Sequence, residues 1–235
     1  MRLPAKNITA VGVDGCPGGW IAVIKKTNEP LAYRFASEFA EILGELPESS
    51  FILVDMILGL PDTHHRFRAC DVEARQKLKP YGSRVFSAPP REALQAGTYS
   101  EACERSRNAI GKAISRQTYH LLPRIRQLDA LSDPRIRESH PELVFSKLAG
   151  TPVGPSKKTA EGRTSRLRLL NTVLPESSNL YQKVVEQLPR SSVGFDDIID
   201  ALALCSAAQM PSSLHVLPAK DIPRDGTGKA MQICY

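Results

Sequence analysis

One stretch near the start of the chain, residues 8–26 with the sequence ITAVGVDGCPGGWIAVIKK, constrains the fold most strongly. Apolar residues alternate on both sides of its Cys-Pro-Gly-Gly segment, which is typical of two β-strands. Because Pro17 presets a turn dihedral and Gly18 and Gly19 permit positive φ, the segment predicts a hairpin between antiparallel strands. Asp14 ends the first strand. Burying a lone carboxylate is costly without a partner, so two interpretations stay open: Asp14 orients the turn, or it binds a divalent cation.

A second apolar run ends on an acid in the same way. Phe51–Asp55, with the sequence FILVD, is almost wholly apolar and has the length of a strand. Such a run predicts a strand covered on both faces, and therefore a parallel neighbour of the first strand. The carboxyl ends of parallel strands meet at one edge of a sheet, where α/β proteins place their sites. Asp14 and Asp55 are therefore expected at the same edge.

Acids also begin a late apolar helix, which the sequence FDDIIDALALCSAA predicts over Phe195–Ala208. Asp197 and Asp200 share a helix face, but so do Asp196 and Asp200, and the spacing leaves this choice open. Acids at a helix N-terminus can also simply complement the helix dipole. Together with the two strand-end acids, however, a cluster of four carboxylates predicts bound Mg²⁺ or Mn²⁺. A pair of such ions would activate water and stabilise the leaving oxygen in phosphodiester cleavage.

The remaining chain is predicted to complete a single domain over residues 1–235, with a helical insertion at 62–135. Within the insertion, polar helices are predicted at Phe67–Leu78, Tyr99–Ile110 and Gln117–Leu131. Outside it, the patterns predict a strand at Leu31–Ala36, a helix at Glu38–Leu46 capped by Ser37, a strand at Ile136–Glu142 with Glu138, His140 and Glu142 on one face, helices at Thr159–Leu170 and Leu180–Leu188, and a last strand at Met231–Tyr235.

The charge of the chain favours an anionic partner. Lys and Arg total 31 against 25 Asp and Glu, a formal net charge of +6. Lys157, Lys158 and Arg163 follow the predicted strand at 136–142, and together with Arg84 they are candidates for phosphate contacts. A solvated basic face is the alternative interpretation. Aromatic residues make up only 6% of the chain and are not interleaved with the basic stretches, so duplex or structured nucleic acid fits better than single strands.

Cysteine usage and hydropathy indicate the compartment. The five cysteines are widely spaced and form no CxxC pair, so neither a disulfide framework nor a zinc site is predicted. No apolar run approaches the roughly 20 residues that span a bilayer, and the N-terminus lacks a signal-peptide core. We therefore expect a cytoplasmic protein without a membrane partner.

Seven motifs occur in order along the chain: GVDGCPGGW, VDMILGLP, CDVEAR, SRVFSAPPREAL, ESHPELVF, KKTAEGRTSRLRLL and DDIIDALAL. Together they resemble the DUF429 family, described as predicted RNase H-like nucleases, and the resemblance runs to the closing MQICY. It implies an α/β, RNase H-like fold: a five-stranded mixed sheet in the order 3-2-1-4-5, flanked by helices, with the helical insertion after strand 4. It also implies an acidic metal site at the centre of that sheet.

The same resemblance implies roles for individual acids. By position, Asp14 resembles the first-strand aspartate of the superfamily, and Asp55 resembles the acid at the end of its fourth strand. Asp197 and Asp200 are similar to the DxxDAL pair on the final helix of Holliday-junction-resolvase-like members. Glu142 and Glu138 belong to the family's strand-five motif, and either Glu142 or Glu138 would assist.

The leading hypothesis is a divalent-metal-dependent nuclease. An actin-like or sugar-kinase-like phosphotransferase or ATPase shares the sheet topology, but those proteins use two such domains, and a single Gly-turn hairpin leaves no room for the second. A non-catalytic binding module on the same fold is a further alternative. Retention of all four acids argues against the module, because an idle carboxylate cluster is an electrostatic cost.

Overall fold

The computed structural model describes residues 8–235, which divide into two compact units. The first unit comprises the described residues up to Asp55, together with Asp133–Leu214 and Tyr235. The second comprises Met56–Ser132 and His215–Cys234. The single-domain interpretation with an insertion at 62–135 stays a prediction. Across the described range, no helix combines the length and the apolar character needed to cross a membrane.

Seven strands, eight α-helices and three short 3-10 helices make up the regular structure of residues 8–235. The strands are β1 (Thr9–Cys16), β2 (Gly19–Lys25), β3 (Ala32–Ala36), β4 (Ser50–Asp55), β5 (Ile136–Glu138), β6 (Val216–Leu217) and β7 (Ile233–Cys234). The helices are α1 (Phe39–Glu45), α2 (Ala69–Lys77), α3 (Tyr99–Ile110), α4 (Arg116–Asp129), α5 (Pro141–Ala149), α6 (Ala160–Val173), α7 (Ser177–Gln187) and α8 (Phe195–Ala208).

The first unit is built on a five-stranded mixed sheet in the order β3-β2-β1-β4-β5. This order confirms the predicted fold class. Strands β1 and β2 pair antiparallel as a hairpin, whereas β1 and β4 pair parallel, as their apolar patterns predicted. The hairpin turn needs its glycine, because Gly19 has φ +142° and an added Cβ would lie 2.2 Å from the carbonyl oxygen of Ala36.

Both faces of β1 are covered. Val11 and Val13 are fully buried on one face, and alternation along the strand turns Gly12 and Asp14 to the other. On that second face, helix α8 packs directly on β1, and a Cβ added at Gly12 would lie 2.1 Å from the backbone nitrogen of Cys205. The missing side chain of Gly12 therefore sets how closely α8 approaches the sheet.

We expect Gly12→Ala to lower the free energy of unfolding by about 1–3 kcal/mol, because the added methyl group meets backbone atoms that cannot rotate away. Gly44→Ala is the matched control, since nothing lies within 4 Å of a Cβ at that position in α1. The free energy of unfolding of the control should rise by about 0.5–1 kcal/mol, because alanine has a higher helix propensity than glycine. Urea denaturation measures both changes. Equal stability of Gly12→Ala and the wild type would contradict the close packing of α8 on β1.

The chain after β5 differs from its prediction. A strand was expected over Ile136–Glu142, but the strand ends at Glu138 and helix α5 begins at Pro141. Proline favours the first position of a helix, because its fixed φ is helical and its missing N–H would have no partner there. The side chain of His140 caps this helix by accepting a hydrogen bond from the backbone N–H of Glu142. Glu142 is therefore a residue of a first helical turn rather than of a strand face.

The start of α1 is also one residue later than predicted. Ser37 was expected to cap the helix, but the N-cap residue is Glu38. The reason is the side chain of Glu41, whose Oε1 accepts hydrogen bonds from the backbone N–H of Glu38 at 3.0 Å and from the Ser37 hydroxyl at 2.9 Å. One glutamate thus organises the whole N-terminal turn.

The second unit contains helices α2–α4 and the two-stranded sheet of β6 and β7. Its central polar contact is Arg91, which donates two hydrogen bonds to Asp129 and one to Asp225. Burial opposes ionisation of Asp225, but hydrogen bonds from the Leu60 N–H, from Thr227 and from Arg91 outweigh it and lower its pKa to about 2. The three side chains form ion pairs with one another, and we assign them a structural role.

Candidate metal centre

The fold brings together acids that lie far apart in the sequence. Asp14 of β1 and Asp55 of β4 are register partners at the carboxyl ends of two parallel strands. Asp14 lies on the face of β1 against which α8 packs. In α8, the carbonyl oxygen of Ala201 lies close to Gly12, and Asp200 is the residue before Ala201, so Asp200 also lies near this end of β1. Sequence reasoning predicted this convergence from the two strand ends and the helix start.

Asp14, Asp55 and Asp200 form one close group. Each offers a carboxylate oxygen that lies within 4.8 Å of the oxygens offered by the other two. Asp14 and Asp200 are buried, at 7% and 1% exposure, and Asp55 is half-buried. Oδ1 of Asp14 also accepts a hydrogen bond of 2.7 Å from the backbone N–H of Gly15, so this residue orients the turn as well.

The three carboxylates resist ionisation in the absence of a cation. Burial and the repulsion of neighbouring carboxylates raise the pKa of Asp14 well above its usual value. Burial raises the pKa of Asp55 to about 6 and that of Asp200 to about 7, although Lys157 opposes both shifts. This is the perturbation expected of buried like charges that lack sufficient compensation.

Lys157 supplies the positive charge inside this group. Its ammonium group forms an ion pair and a hydrogen bond with Oδ2 of Asp200. Burial opposes its charge, but the attraction of Asp200, Asp14 and Asp55 outweighs burial and raises the pKa of Lys157. The structure thus places a residue predicted to bind phosphate directly against the carboxylates, and the phosphate contact stays a prediction.

The remaining predicted acids lie around the group rather than in it. Asp197 lies near enough to raise the pKa of Asp14 and Asp55, but its Oδ2 accepts a hydrogen bond of 2.8 Å from the backbone N–H of Gly194. That contact caps α8. Among the described residues, the close carboxylate group does not include Asp197, and its role as a metal ligand stays a prediction.

Glu142 has a partner of its own. Both its oxygens accept hydrogen bonds from Nη2 of Arg166, at 2.8 and 3.0 Å, and the Arg166 side chain is fully buried. Glu142 still raises the pKa of Asp55 and Asp200. Glu138 of β5 is buried as well. Glu142 is therefore a neighbour that adds negative charge to the site while Arg166 holds it in place.

Arg166 is the residue near the site that sequence reasoning missed. It was not among the residues predicted for the site or for phosphate contacts. A signal was present, however, because Gly162, Arg166 and Leu170 are spaced four residues apart and all three are buried on one face of α6. An arginine on an apolar helix face needs an acidic partner, and Glu142 is that partner.

The other candidates for phosphate contacts are half-buried or exposed. Lys158 is exposed, and Arg163 donates a hydrogen bond of 2.7 Å to the Lys158 carbonyl oxygen. The guanidinium carbon of Arg163 lies 5.0 Å from the ring centroid of Phe195. Arg84 belongs to the second unit, where its guanidinium carbon lies 4.3 Å from the ring centroid of Tyr81. No contact with an anion follows from these positions alone.

The donor set fits a hard divalent cation. All ligand atoms of the close group are carboxylate oxygens, which Mg²⁺ and Mn²⁺ prefer. Oδ1 of Asp200 is buried and has no hydrogen-bond partner within residues 8–235. A buried acceptor without a donor is costly, and a cation at this position would remove that cost. The structure therefore contains a buried carboxylate group that could hold a divalent metal ion.

Comparison with known proteins identifies the family but offers no characterised relative. No curated protein and no solved structure matches the chain. The family model DUF429, described as a protein of unknown function, matches residues 12–221. The matched range includes Asp14, Asp55 and Asp200, and it covers most of the chain. This protein therefore belongs to the DUF429 family.

Proposed function

We propose that this protein is a divalent-metal-dependent nuclease, which hydrolyses phosphodiester bonds in nucleic acid. The observation that carries the proposal is the group of Asp14, Asp55 and Asp200, with carboxylate oxygens within 4.8 Å of one another and one buried oxygen without a partner. The order of the sheet is the one that the RNase H-like resemblance implies, and two members of the group lie at the carboxyl ends of its neighbouring strands β1 and β4.

Asp14, Asp55 and Asp200 would hold the metal ion, either Mg²⁺ or Mn²⁺. When bound, such an ion supplies an activated water and stabilises charge on the phosphate and its leaving oxygen. The chain contributes rigid placement, since two ligands lie on paired strands and the third lies on a helix packed against them. Ligands held in this way need little rearrangement during the reaction.

The surrounding residues have distinct proposed roles. Asp197 is a further candidate ligand and Glu142 an assisting acid, since both add negative charge beside Asp55. Lys157, Lys158 and Arg163 lie in the segment before and within α6, from which their cationic groups could bind the phosphate backbone. Arg84, in the second unit, is proposed for a phosphate contact of its own. The net charge of +6 favours an anionic polymer over a neutral substrate.

The proposal predicts cleavage that depends on added metal. The full chain, freed of metal with EDTA, should be incubated with single-stranded, duplex, hybrid and branched DNA and RNA, with and without Mg²⁺ or Mn²⁺. We expect cleavage only with metal, loss of cleavage on adding EDTA, and a preference for duplex or structured substrates. Product levels equal to those of the EDTA samples on every substrate would contradict the nuclease assignment.

A further inference from the structure

Lys157 and a divalent metal ion would compete for the same carboxylates. The Lys157 ammonium contacts Oδ2 of Asp200, and its charge also acts on Asp14 and Asp55. These are the three residues that offer ligand oxygens within 4.8 Å of one another. A cation bound by them would lie beside the ammonium group. Two positive charges so close together repel each other strongly in a buried site.

The two ends of this ion pair differ in how readily they can move. Asp200 is 1% exposed and lies on α8, which packs on β1, β2 and β4. The Lys157 side chain is 28% exposed and comes from the segment that precedes α6. The ammonium group itself is buried against the carboxylates, but rotation of its flexible four-carbon stem, part of which reaches solvent, would carry it out to water.

Lys157 compensates only part of the charge of the group. Asp200 has one oxygen against the ammonium and its other oxygen, Oδ1, buried without a hydrogen-bond partner among the described residues. A single ammonium group also faces three carboxyl groups, which together carry more negative charge than it can compensate once they are ionised. A divalent ion would satisfy the remaining oxygen and neutralise more of that charge.

From this arrangement we infer that Lys157 is an internal counter-ion, which stabilises the metal-free carboxylate group and which a divalent ion must displace in order to bind. Displacement changes the position of the ammonium group relative to Asp200. The inference rests on the metal site of the proposed function, but not on nuclease activity. It assigns to Lys157 the role of setting how tightly the site binds metal.

The test measures metal affinity rather than activity. Mn²⁺ binding to the metal-free full chain should be followed by titration calorimetry for the wild type, Lys157→Met and Lys158→Met. Methionine keeps the apolar stem of lysine and removes its charge. Lys158→Met is the matched control, because Lys158 is the next residue in the chain and its side chain is exposed, so the variant removes an equal charge from outside the carboxylate group. We expect Lys157→Met to bind Mn²⁺ at least tenfold more tightly, and Lys158→Met to stay within twofold of the wild type.

A stability measurement supplies the second readout. Without metal, Lys157→Met should melt at a lower temperature than the wild type, and Mn²⁺ should raise its melting temperature by more than it raises that of the wild type. If Lys157→Met does not fold without metal, Lys157→Gln replaces it, since its amide can still donate to Asp200 without a charge. The same tighter binding is expected of that variant.

The outcomes separate this inference from the proposed function. Tighter Mn²⁺ binding by Lys157→Met supports the inference even if no nucleic acid is cleaved. Unchanged or weaker binding by Lys157→Met, beside measurable binding by the wild type, overturns the inference and leaves the nuclease proposal standing. Absence of Mn²⁺ binding in every variant overturns the inference together with the metal site.

Discussion

Replacing Asp14 with asparagine should reduce metal-dependent cleavage by at least about 10³-fold, which corresponds to about 4 kcal/mol of lost transition-state stabilisation. The amide has nearly the shape of the carboxylate and can still accept the hydrogen bond from the Gly15 N–H. It lacks the negative charge with which Asp14 would hold a divalent ion. Initial rates on the substrate cleaved best by the wild type measure this loss.

The same substitution should leave the metal-free protein at least as stable as the wild type at neutral pH. Burial and repulsion raise the pKa of Asp14, so its ionised form destabilises the folded chain as the pH rises above the usual aspartate value. Asparagine removes that repulsion. A variant that is inactive and yet melts no lower than the metal-free wild type separates lost chemistry from lost folding.

Asp196→Asn is the control for Asp14→Asn. Asp196 lies in the first turn of α8 and is not part of the close carboxylate group found in residues 8–235. Removing its charge should lower the free energy of unfolding by no more than about 0.3–1 kcal/mol, which is the stabilisation that a negative charge gives at a helix N-terminus. Cleavage by Asp14→Asn within tenfold of Asp196→Asn would contradict the assignment of Asp14 to the metal site.

Arg166→Met should lower the free energy of unfolding by about 3–5 kcal/mol, a large part of the stability of a typical domain. The Arg166 side chain is fully buried and donates to both oxygens of Glu142 and to the carbonyl oxygens of Pro155 and Gly162. Methionine fills similar space but leaves the Glu142 carboxylate buried without its cation. Chemical denaturation measures the loss.

Two further variants make this stability prediction specific. Arg168→Met removes the same charge from an exposed position of α6 and should change stability by no more than about 0.5 kcal/mol. In the double variant Glu142→Leu and Arg166→Met the unpaired carboxylate is gone, so part of the lost stability should return. A loss below 1 kcal/mol for Arg166→Met alone would show that the ion pair does not hold α5 and α6 together.

The central strands and their acids could be predicted because their signals are local. Alternation around Pro17 and Gly18 specified a hairpin, and the apolar run ending at Asp55 specified a buried parallel strand. Once the two strands are parallel neighbours, Asp14 and Asp55 must lie at the same edge. The apolar residues of Phe195–Ala208 likewise predicted α8, including its first and last residues, and so placed Asp200 in a helix.

What could not be predicted depends on contacts between distant residues. Arg166 and Glu142 are 24 positions apart, and Lys157 and Asp200 are 43 apart, so no local pattern pairs them. The local pattern therefore indicated a phosphate contact or a solvated basic face for Lys157, and no acidic partner for Arg166. The strand predicted over 136–142 was confirmed only for residues 136–138, for a different reason: alternation was followed past Pro141, although proline favours the start of a helix. Asp197 shows a further limit, because its spacing suits a ligand and a helix cap equally well.

The most direct test of the account is the position of bound Mn²⁺ in crystals of the full chain, located by its anomalous scattering. We predict an anomalous peak that places Mn²⁺ within coordination distance of carboxylate oxygens of Asp14, Asp55 and Asp200. In the same crystals the Lys157 ammonium group should have moved away from Asp200. A map without a peak between these three residues at saturating Mn²⁺, or with Mn²⁺ bound only elsewhere, would contradict the assignment of this carboxylate group as a metal centre.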